Sequence, residues 1–226
     1  MSTHSIQLEV KNLTTCFRTS TGNVTAVDDI SFSLKKGETL CIVGESGCGK
    51  SVSALSIMGL LPPSGYVKSG SANFLNNNLL SMPSKQLERL RGDRISMIFQ
   101  DPGSSLNPVM RIGDQVSEIF RIHLNMSKSQ SLEKALEMLK QVEIPDPESR
   151  MLAYPHELSG GMAQRVMIAM ALSCNPDILI ADEPTTALDV TIQSQILNLM
   201  IQMQSKTKTA ILLITHDLGV VAEIAD

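Results

Sequence analysis

The sequence contains no tryptophan, and aromatic residues make up only 3% of it. Surfaces on which nucleic-acid bases stack are therefore scarce. Basic residues are also few, because 19 lysines and arginines stand against 23 acidic residues, for a net charge of −4. Proteins that bind nucleic acids usually carry a basic stripe. Both shortages argue against a nucleic-acid partner.

The cysteines form no CxxC pair, which argues against a zinc site and against a disulfide framework. They are Cys16, Cys41, Cys48 and Cys174. Free thiols are typical of a reducing compartment. The start, MSTHSIQLEVKN, lacks the apolar core of a signal peptide. The longest apolar run, VMIAMAL, is far shorter than the ~20 residues that span a bilayer, so we expect that the chain alone does not cross a membrane.

Hydrophobic patterns predict an α/β fold with a helical insertion. IQLEV and ISFSL alternate, whereas TLCIV, ISMIF, ILIAD and AILLIT are continuous apolar runs, typical of strands covered on both faces. A helix is expected over Ser51–Leu61. Between about 101 and 174 the patterns are helical, with PDPES as a turn and a third helix over Gly160–Ser173. We therefore predict a parallel-sheet core, about 1–100 and 175–226, with an inserted helical lobe, about 101–174.

The stretch GESGCGKS, Gly44 to Ser51, matches the pattern G-x-x-x-x-G-K-[ST] between a buried strand and a helix. Bare N–H groups at a helix N-terminus form a pocket for phosphates. Lys50 is placed to reach the β- and γ-phosphates, and the Ser51 hydroxyl to bind Mg²⁺. The alternative is a glycine-rich connector. A dinucleotide fingerprint is not met, because Val52 stands where the third glycine belongs. Cys48 is either a small side chain that fits or an oxidation-sensitive thiol.

Acidic and polar residues follow three predicted strands. Asp182 and Glu183 end ILIADE, Gln100 follows ISMIF, and His216 and Asp217 follow AILLIT. Ligands of open parallel sheets bind at the carboxyl ends of strands. We expect Asp182 near Mg²⁺, Glu183 as the base that activates water, and Gln100 and His216 facing the same crevice. Helix capping is the alternative for the acidic pair, and Asp217 is most simply an N-cap.

A second helix start carries glycines, in LSGGMAQRVMIAMAL. Ser159 is suited to cap this helix, and Gly160 and Gly161 would leave N–H groups exposed to an anion. A plain capped helix is the alternative. One nucleotide needs only one loop, so a second anion-binding terminus predicts a nucleotide held by another subunit. The expected assembly is a head-to-tail dimer with two nucleotides between the chains.

Taken together, GESGCGKS, Gln100, LSGGM, ILIADE, TALD at Thr186 to Asp189, and His216 resemble the ATPase subunit of ABC transporters in order and rough spacing. IFQDPGSSLNP, YPHELSGGMAQRVMIAMAL and ADEPTTALDVTIQSQIL resemble the peptide/nickel importer branch, above all its dipeptide and oligopeptide members. The resemblance implies a P-loop NTPase fold: a parallel-sheet core, an N-terminal antiparallel β subdomain and an inserted α-helical subdomain. Family chains continue beyond this histidine, so we expect a sequence truncated at its C-terminus.

The resemblance also implies an ATP- and Mg²⁺-dependent ATPase that drives uptake of di- and oligopeptides. Its partners would be a second ATPase subunit, identical or paralogous, two membrane permease subunits and, indirectly, an extracytoplasmic solute-binding protein. It would lie peripherally on the cytoplasmic face of the membrane and contact the permease between its lobes, around Gln100 to Asn107. Nickel, glutathione or another solute as cargo, a non-transport ABC-type ATPase, and a binding-only switch are the alternatives.

Site residues follow from the resemblance position by position. Phe17 would stack on adenine, and Leu188 and Asp189, with Ala187, would lie at the dimer seam. The implied catalytic residues are Glu183, His216, Gln100 and Lys50. The implied metal ligands are Ser51, Gln100 and Asp182. The implied nucleotide-binding residues are Phe17, Gly44, Glu45, Ser46, Gly47, Cys48, Gly49, Lys50, Ser51, Gln100 and Asp182, with Ser159, Gly160 and Gly161 acting on the partner's γ-phosphate.

Overall fold

Two four-stranded sheets organise the computed structural model, which describes residues 5–186 and 188–225. The strands are β1 (Ile6–Thr19), β2 (Gly22–Lys35), β3 (Thr39–Val43), β4 (Gly65–Phe74), β5 (Asn77–Asn78), β6 (Ile95–Ile98), β7 (Ile178–Asp182) and β8 (Ala210–Thr215). An antiparallel sheet has the order β2-β1-β4-β5, and a parallel sheet has the order β3-β8-β7-β6. The α/β class predicted from the sequence is thereby confirmed.

Helices fill the space between and after these strands. They are α1 (Lys50–Met58), α2 (Ser84–Leu90), α3 (Pro102–Ser105), α4 (Ile112–Leu124), α5 (Lys128–Gln141), α6 (Pro147–Arg150), α7 (Gly160–Leu172), α8 (Val190–Thr207) and α9 (Leu218–Ile224). Residues 101–174, all of them described, contain helices and no strand. The boundaries of a core and an inserted lobe stay a prediction. In the described part of the chain, no helix combines the length and apolar character needed to cross a membrane.

The parallel sheet is covered on both faces, and alternate residues of its central strands enter different cores. On β7, Ile178 and Ile180 pack with the antiparallel sheet and α1, whereas Leu179 and Ala181 pack with α4, α5, α7 and α8. All residues of β6, β7 and β8 are buried. Because side chains alternate across a strand, a strand buried on both faces is expected to be largely apolar. This accounts for the continuous runs ISMIF, ILIAD and AILLIT.

The end of α1 differs from the prediction. Sequence periodicity places it at Leu61, but the helix stops at Met58, and Gly59 takes a left-handed conformation with φ 62°. The N–H of Leu60 then turns back to the carbonyl of Leu55 at 2.8 Å. A left-handed glycine that closes the last turn is a common helix end. The apolar residues at 60 and 61 therefore belong to the connection after α1.

The stretch PDPES also differs, because it holds a short helix as well as a turn. Asp146 has φ 56°, and α6 then begins at Pro147. Proline is well suited to the first helical position, since its missing N–H would have no partner there. Two further helix starts are capped by side chains, and the cap predicted at Ser159 is confirmed. Ser127 and Gln130 form a capping box at the start of α5, and Ser159 accepts a hydrogen bond from the N–H of Met162 at the start of α7.

Candidate active site

The glycine-rich loop between β3 and α1 has a backbone that only glycine adopts readily. Gly47 and Gly49 have φ angles of 83° and 95°, in the left-handed region that side chains disfavour. A Cβ on Gly49 would lie 2.2 Å from the carbonyl oxygen of Ala26 on β2, so the loop approaches this strand too closely for any other residue. The Sγ of Cys48 lies against Gly44, since a Cβ on Gly44 would be 2.8 Å from this sulfur.

Lys50, the first residue of α1, is buried, and its ammonium lies back across the loop. Its Nζ donates to the carbonyl oxygens of Gly44 at 2.6 Å and Glu45 at 2.8 Å. The loop therefore encloses a positive charge that is already held by hydrogen bonds. An anion with stronger acceptors than these carbonyl oxygens could bind this charge and the N-terminus of α1 in one pocket.

Asp182, the last residue of β7, joins the loop helix to the sheet. The Ser51 hydroxyl donates to Asp182 Oδ1 at 3.0 Å. Burial raises the pKa of the Asp182 carboxyl above its ordinary value; the Ser51 hydrogen bond opposes the shift, Glu183 adds to it and Lys50 opposes it. A bound cation would relieve the cost of this buried charge. Oxygen atoms of a hydroxyl and a carboxylate are the ligands that Mg²⁺ prefers, so Ser51 and Asp182 fit this ion.

Glu183 accepts hydrogen bonds from two side chains and lies beside a third polar group. Its Oε2 accepts from Gln100 Nε2 at 3.0 Å and from Thr186 Oγ1 at 2.9 Å. Its Oε1 lies 3.3 Å from His216 Nδ1, and its side chain is only 10% exposed. Gln100, Glu183 and His216 follow three neighbouring strands, β6, β7 and β8. The structure therefore brings together the polar residues that the sequence places at the ends of those strands.

The backbone of Glu183 is fixed as firmly as its carboxylate. It has φ 47°, an uncommon conformation for a residue with a side chain. Its N–H donates to the carbonyl of Ile214 on β8 at 2.9 Å. Backbone strain of this kind persists where the surroundings impose it, and such residues cluster at active sites.

Thr186 is the residue of this group that sequence analysis missed as a contact of the carboxylate. In the sequence motifs, Thr186 appears only as the first residue of the string TALD. The chain turns between the two residues, and the N–H of Thr186 donates to the carbonyl of Glu183 at 3.2 Å. A hydroxyl residue three positions after an acid in a turn is the signal that would have indicated the contact.

Asp217 caps α9 as predicted. Its Oδ1 accepts from the N–H of Gly219 at 2.7 Å, and its Oδ2 accepts from Gln193 Nε2 at 3.3 Å. The bond from Gly219 and the bond from Gln193 lower the pKa of the Asp217 carboxyl. Capping therefore accounts for Asp217, while the neighbouring His216 points its Nδ1 at Glu183.

Phe17 lies away from this group, on β1 of the antiparallel sheet, where it pairs with Val24 and Gly65. A Cβ on Gly65 would stand 3.1 Å from the Phe17 ring, so the ring rests against bare backbone. The ring is half-buried. Its stacking on adenine stays a prediction.

Ser159, Gly160 and Gly161 line a different cleft, of about 800 Å³, together with Leu188 and Asp189. None of the described residues 44–51 lines this cleft. Gly160 is exposed, and nothing lies within 4 Å of the position a Cβ would take. Asp189 caps α8 by accepting from the N–H of Ile192 at 3.0 Å. Ala187 of the predicted seam falls outside the described residues.

Comparison with known protein families identifies the class of protein that has this glycine-rich loop, the acidic residue at the end of β7 and the second glycine-bearing helix start. The family model described as "ABC transporter" matches residues 27–186. The chain belongs to the ABC transporter family and contains its ATP-binding domain.

Two of the relatives that this chain matches are named after the substrate of their transporter. The oligopeptide transport ATP-binding protein OppD of Salmonella typhimurium is 54% identical over 222 residues, which cover 98% of this chain and 66% of OppD. The dipeptide transport ATP-binding protein DppD of Bacillus subtilis is 57% identical over 220 residues, which cover 97% of this chain and 66% of DppD. The chain thus spans just under two thirds of the length of either relative.

Solved structures share the fold. The dimeric post-hydrolysis state of the ATP-binding cassette MJ0796, bound to ADP and Pi, has a TM-score of 0.85 and 29% identity, covering 95% of this chain and 90% of that one. CbiO1 from Clostridium perfringens, part of the transporter complex cbiONQ, has a TM-score of 0.79 and 29% identity, covering 98% of this chain and 82% of that one. The P-loop NTPase fold of ABC cassettes is thereby confirmed.

Proposed function

We propose that this chain is an ATP-hydrolysing subunit of an ABC importer that energises uptake of dipeptides and oligopeptides through separate membrane subunits. The observation that carries the proposal is the grouping of Gln100, Thr186 and His216 around Glu183. This group stands beside Asp182, which Ser51 joins to the glycine-rich loop. The names of the relatives OppD and DppD support peptides as the cargo.

In the proposed reaction, ATP enters the loop at Gly44–Ser51 and its phosphates replace the carbonyl oxygens that now hold Lys50. Ser51, Asp182 and Gln100 are the proposed ligands of Mg²⁺. The ion, when bound, neutralises charge on the β- and γ-phosphate oxygens. Phe17 is the proposed contact of the adenine ring.

Glu183 is the proposed general base. Its carboxylate orients a water molecule and takes up a proton as the water oxygen bonds to the γ-phosphorus and the bond to the ADP oxygen breaks. His216, already 3.3 Å from Glu183 Oε1, is proposed to hold the γ-phosphate. The hydrogen bonds from Gln100 and Thr186 to Oε2 orient this carboxylate.

Ser159, Gly160 and Gly161 are proposed to contact the γ-phosphate held by a second ATPase subunit, identical or paralogous. The support is their separation from the chain's own loop, since they line a cleft with Leu188 and Asp189 instead. The dimeric state of the MJ0796 cassette also supports it. Leu188 and Asp189 would then lie at the seam between the two subunits.

An apolar cleft of about 230 Å³ supports the proposed contact with a membrane permease subunit. Phe99, Ser105, Leu106, Met167 and Met170 are among the residues that line it. Ser105 and Leu106 fall within the stretch Gln100 to Asn107, where the sequence predicts this contact. The subunit would thereby sit on the cytoplasmic face of the membrane, next to two permease subunits and, through them, a solute-binding protein.

Uptake in cells tests the proposed cargo. A strain that lacks this subunit is complemented with the wild-type chain or with Glu183→Gln, and import of labelled dipeptide is compared with import of nickel. We expect the wild-type chain to restore dipeptide uptake and the variant to leave it at background. Restored nickel uptake without dipeptide uptake would contradict the proposed cargo.

A further inference from the structure

The helices α7 and α8 contact each other over their first two turns, through two contacts on matching faces. A Cβ on Gly161 would lie 3.0 Å from Ile192 Cγ2, so the helices approach closely there. One turn later, Arg165 Nη2 donates to Gln195 Oε1 at 2.9 Å. Gly161 and Arg165 are four residues apart on α7, and Ile192 and Gln195 are three apart on α8. Both spacings place the two residues on one face of their helix.

Arg165 is a charged side chain that is only 8% exposed. Its Nη1 donates to the carbonyl oxygen of Val142, at the end of α5, at 2.8 Å. The same nitrogen lies 3.5 Å from a Glu143 oxygen, but that side chain is 71% exposed, and exposed ion pairs contribute little. Neutral acceptors on Val142 and Gln195 therefore satisfy the buried guanidinium, and a buried charge without such partners is costly.

The contact joins the two segments that the proposed function directs at a second subunit. Ser159–Gly161 opens α7, and Leu188–Asp189 leads into α8. Both segments line the same cleft, as do Arg165 and Gln195. We infer that Arg165, acting through Gln195, is a positioning residue that holds Ser159–Gly161 in register with Leu188–Asp189. This inference rests on the proposed role of Ser159–Gly161 in a dimer.

The geometry calls for arginine in particular. The guanidinium presents separate nitrogens in a fixed fork, and here they point to acceptors on α8 and at the end of α5. A lysine offers a single ammonium on a flexible stem. Arg165→Lys would keep the charge and lose one of the two directed bonds, whereas Gln195→Leu would remove one acceptor and leave α7 unchanged.

The test measures ATP-driven dimerisation in a Glu183→Gln parent, with the second ATPase subunit of the same transporter, identical or paralogous. Gln195→Leu in this parent should weaken dimerisation by about tenfold, as expected when a buried donor loses its acceptor. ATP affinity of the separate subunit should stay the same. Gln195→Glu restores an acceptor and should recover dimerisation, and Arg165→Lys should give an intermediate loss.

Gln202→Leu is the matched control, because it makes the same change at an exposed position of α8. It should leave dimerisation unchanged. Unchanged dimerisation in Gln195→Leu would overturn the inference, and so would an equal loss of ATP affinity in the separate subunit, which indicates general damage. If the Glu183→Gln parent itself does not dimerise with ATP, the proposed function fails, and the inference fails with it.

Discussion

The glycine-rich loop at 44–51 and the helix start at Ser159–Gly161 both combine glycines with a helix N-terminus, but their surroundings differ. The loop has left-handed glycines at 47 and 49 and encloses the ammonium of Lys50. The second site has no left-handed residue among 159–161, and Gly160 stands in open space. The first is the proposed phosphate site of this chain. The second is proposed to act only on a nucleotide that a second subunit holds.

Chemistry is expected to depend most on Glu183, next to Asp182, which Ser51 joins to the first region. Glu183→Gln should lower the rate of ATP hydrolysis in the reconstituted transporter by about 10²–10⁴ while ATP binding persists, because a positioned base contributes that much. Steady-state phosphate release measures the rate, and ATP titration measures binding. A variant with near-normal phosphate release would remove Glu183 as the base.

Lys50→Ala should come next in size. Each hydrogen bond between the ammonium and a phosphate is worth about 1.5–3 kcal/mol, so ATP affinity should fall by about a hundredfold. Isothermal titration with ATP measures the loss, and Lys206→Ala, at an exposed position of α8, serves as the control. Equal affinity in Lys50→Ala and the control would make the loop a connector instead of a phosphate site.

Ser159→Arg separates the two regions directly. An arginine side chain at this exposed helix start should block closure against a second subunit and weaken ATP-driven dimerisation by about tenfold or more, since an unpaired buried charge is costly. ATP affinity of the separate subunit should not change, because none of residues 44–51 lines the Ser159 cleft. Loss of that affinity would show that the two regions act on one nucleotide.

Alanine substitutions at Gly49 and at Gly160 should change the stability of the protein in opposite directions. Gly49→Ala forces a side chain to φ 95° and into the Ala26 carbonyl, which should lower the free energy of unfolding by about 1–3 kcal/mol. Gly160→Ala has open space and gains helix propensity, so it should raise that free energy by up to about 1 kcal/mol. Urea unfolding of both variants is the measurement. Similar losses in the two would contradict the difference in backbone.

Thr186→Val should have the smallest effect. It removes the hydroxyl that donates to Glu183 Oε2. A hydrogen bond to a charged group is worth about 1.5–3 kcal/mol, and only part of this should bear on kcat because Gln100 still donates to Oε2. We expect kcat to fall by about threefold to tenfold with KM for ATP unchanged, and Thr186→Ser to restore it. An unchanged kcat in Thr186→Val would mean that Gln100 and His216 are enough to orient Glu183.

Much of the fold could be predicted because its signals are local. The continuous apolar runs identify strands covered on both faces, and parallel pairing alone brings Gln100, Glu183 and His216 to one edge. The predictions that were wrong, at the end of α1 and in the stretch PDPES, depend on single backbone angles. Gly59 has φ 62° where α1 ends, and Asp146 has φ 56° where α6 begins. Propensity does not specify such angles.

Part of the site was also beyond sequence analysis, for a different reason. Gly161 looks like a residue kept bare for an anion, yet its nearest constraint is Ile192, 31 positions away in the sequence. The bond from Arg165 to Gln195 likewise joins elements that only the tertiary fold brings together. Motif spacing indicates which residues matter to a ligand, but it does not show which residues hold the motif in place.

A structure of the Glu183→Gln transporter with Mg²⁺ and ATP tests the central claim, that each loop binds its own nucleotide and each second helix start serves its neighbour's. We expect the γ-phosphate of the neighbouring subunit's ATP at hydrogen-bond distance, about 3 Å, from Ser159 and the N–H groups of Gly160 and Gly161. Those groups facing solvent, with ATP bound in the loop and no subunit opposite, would contradict it.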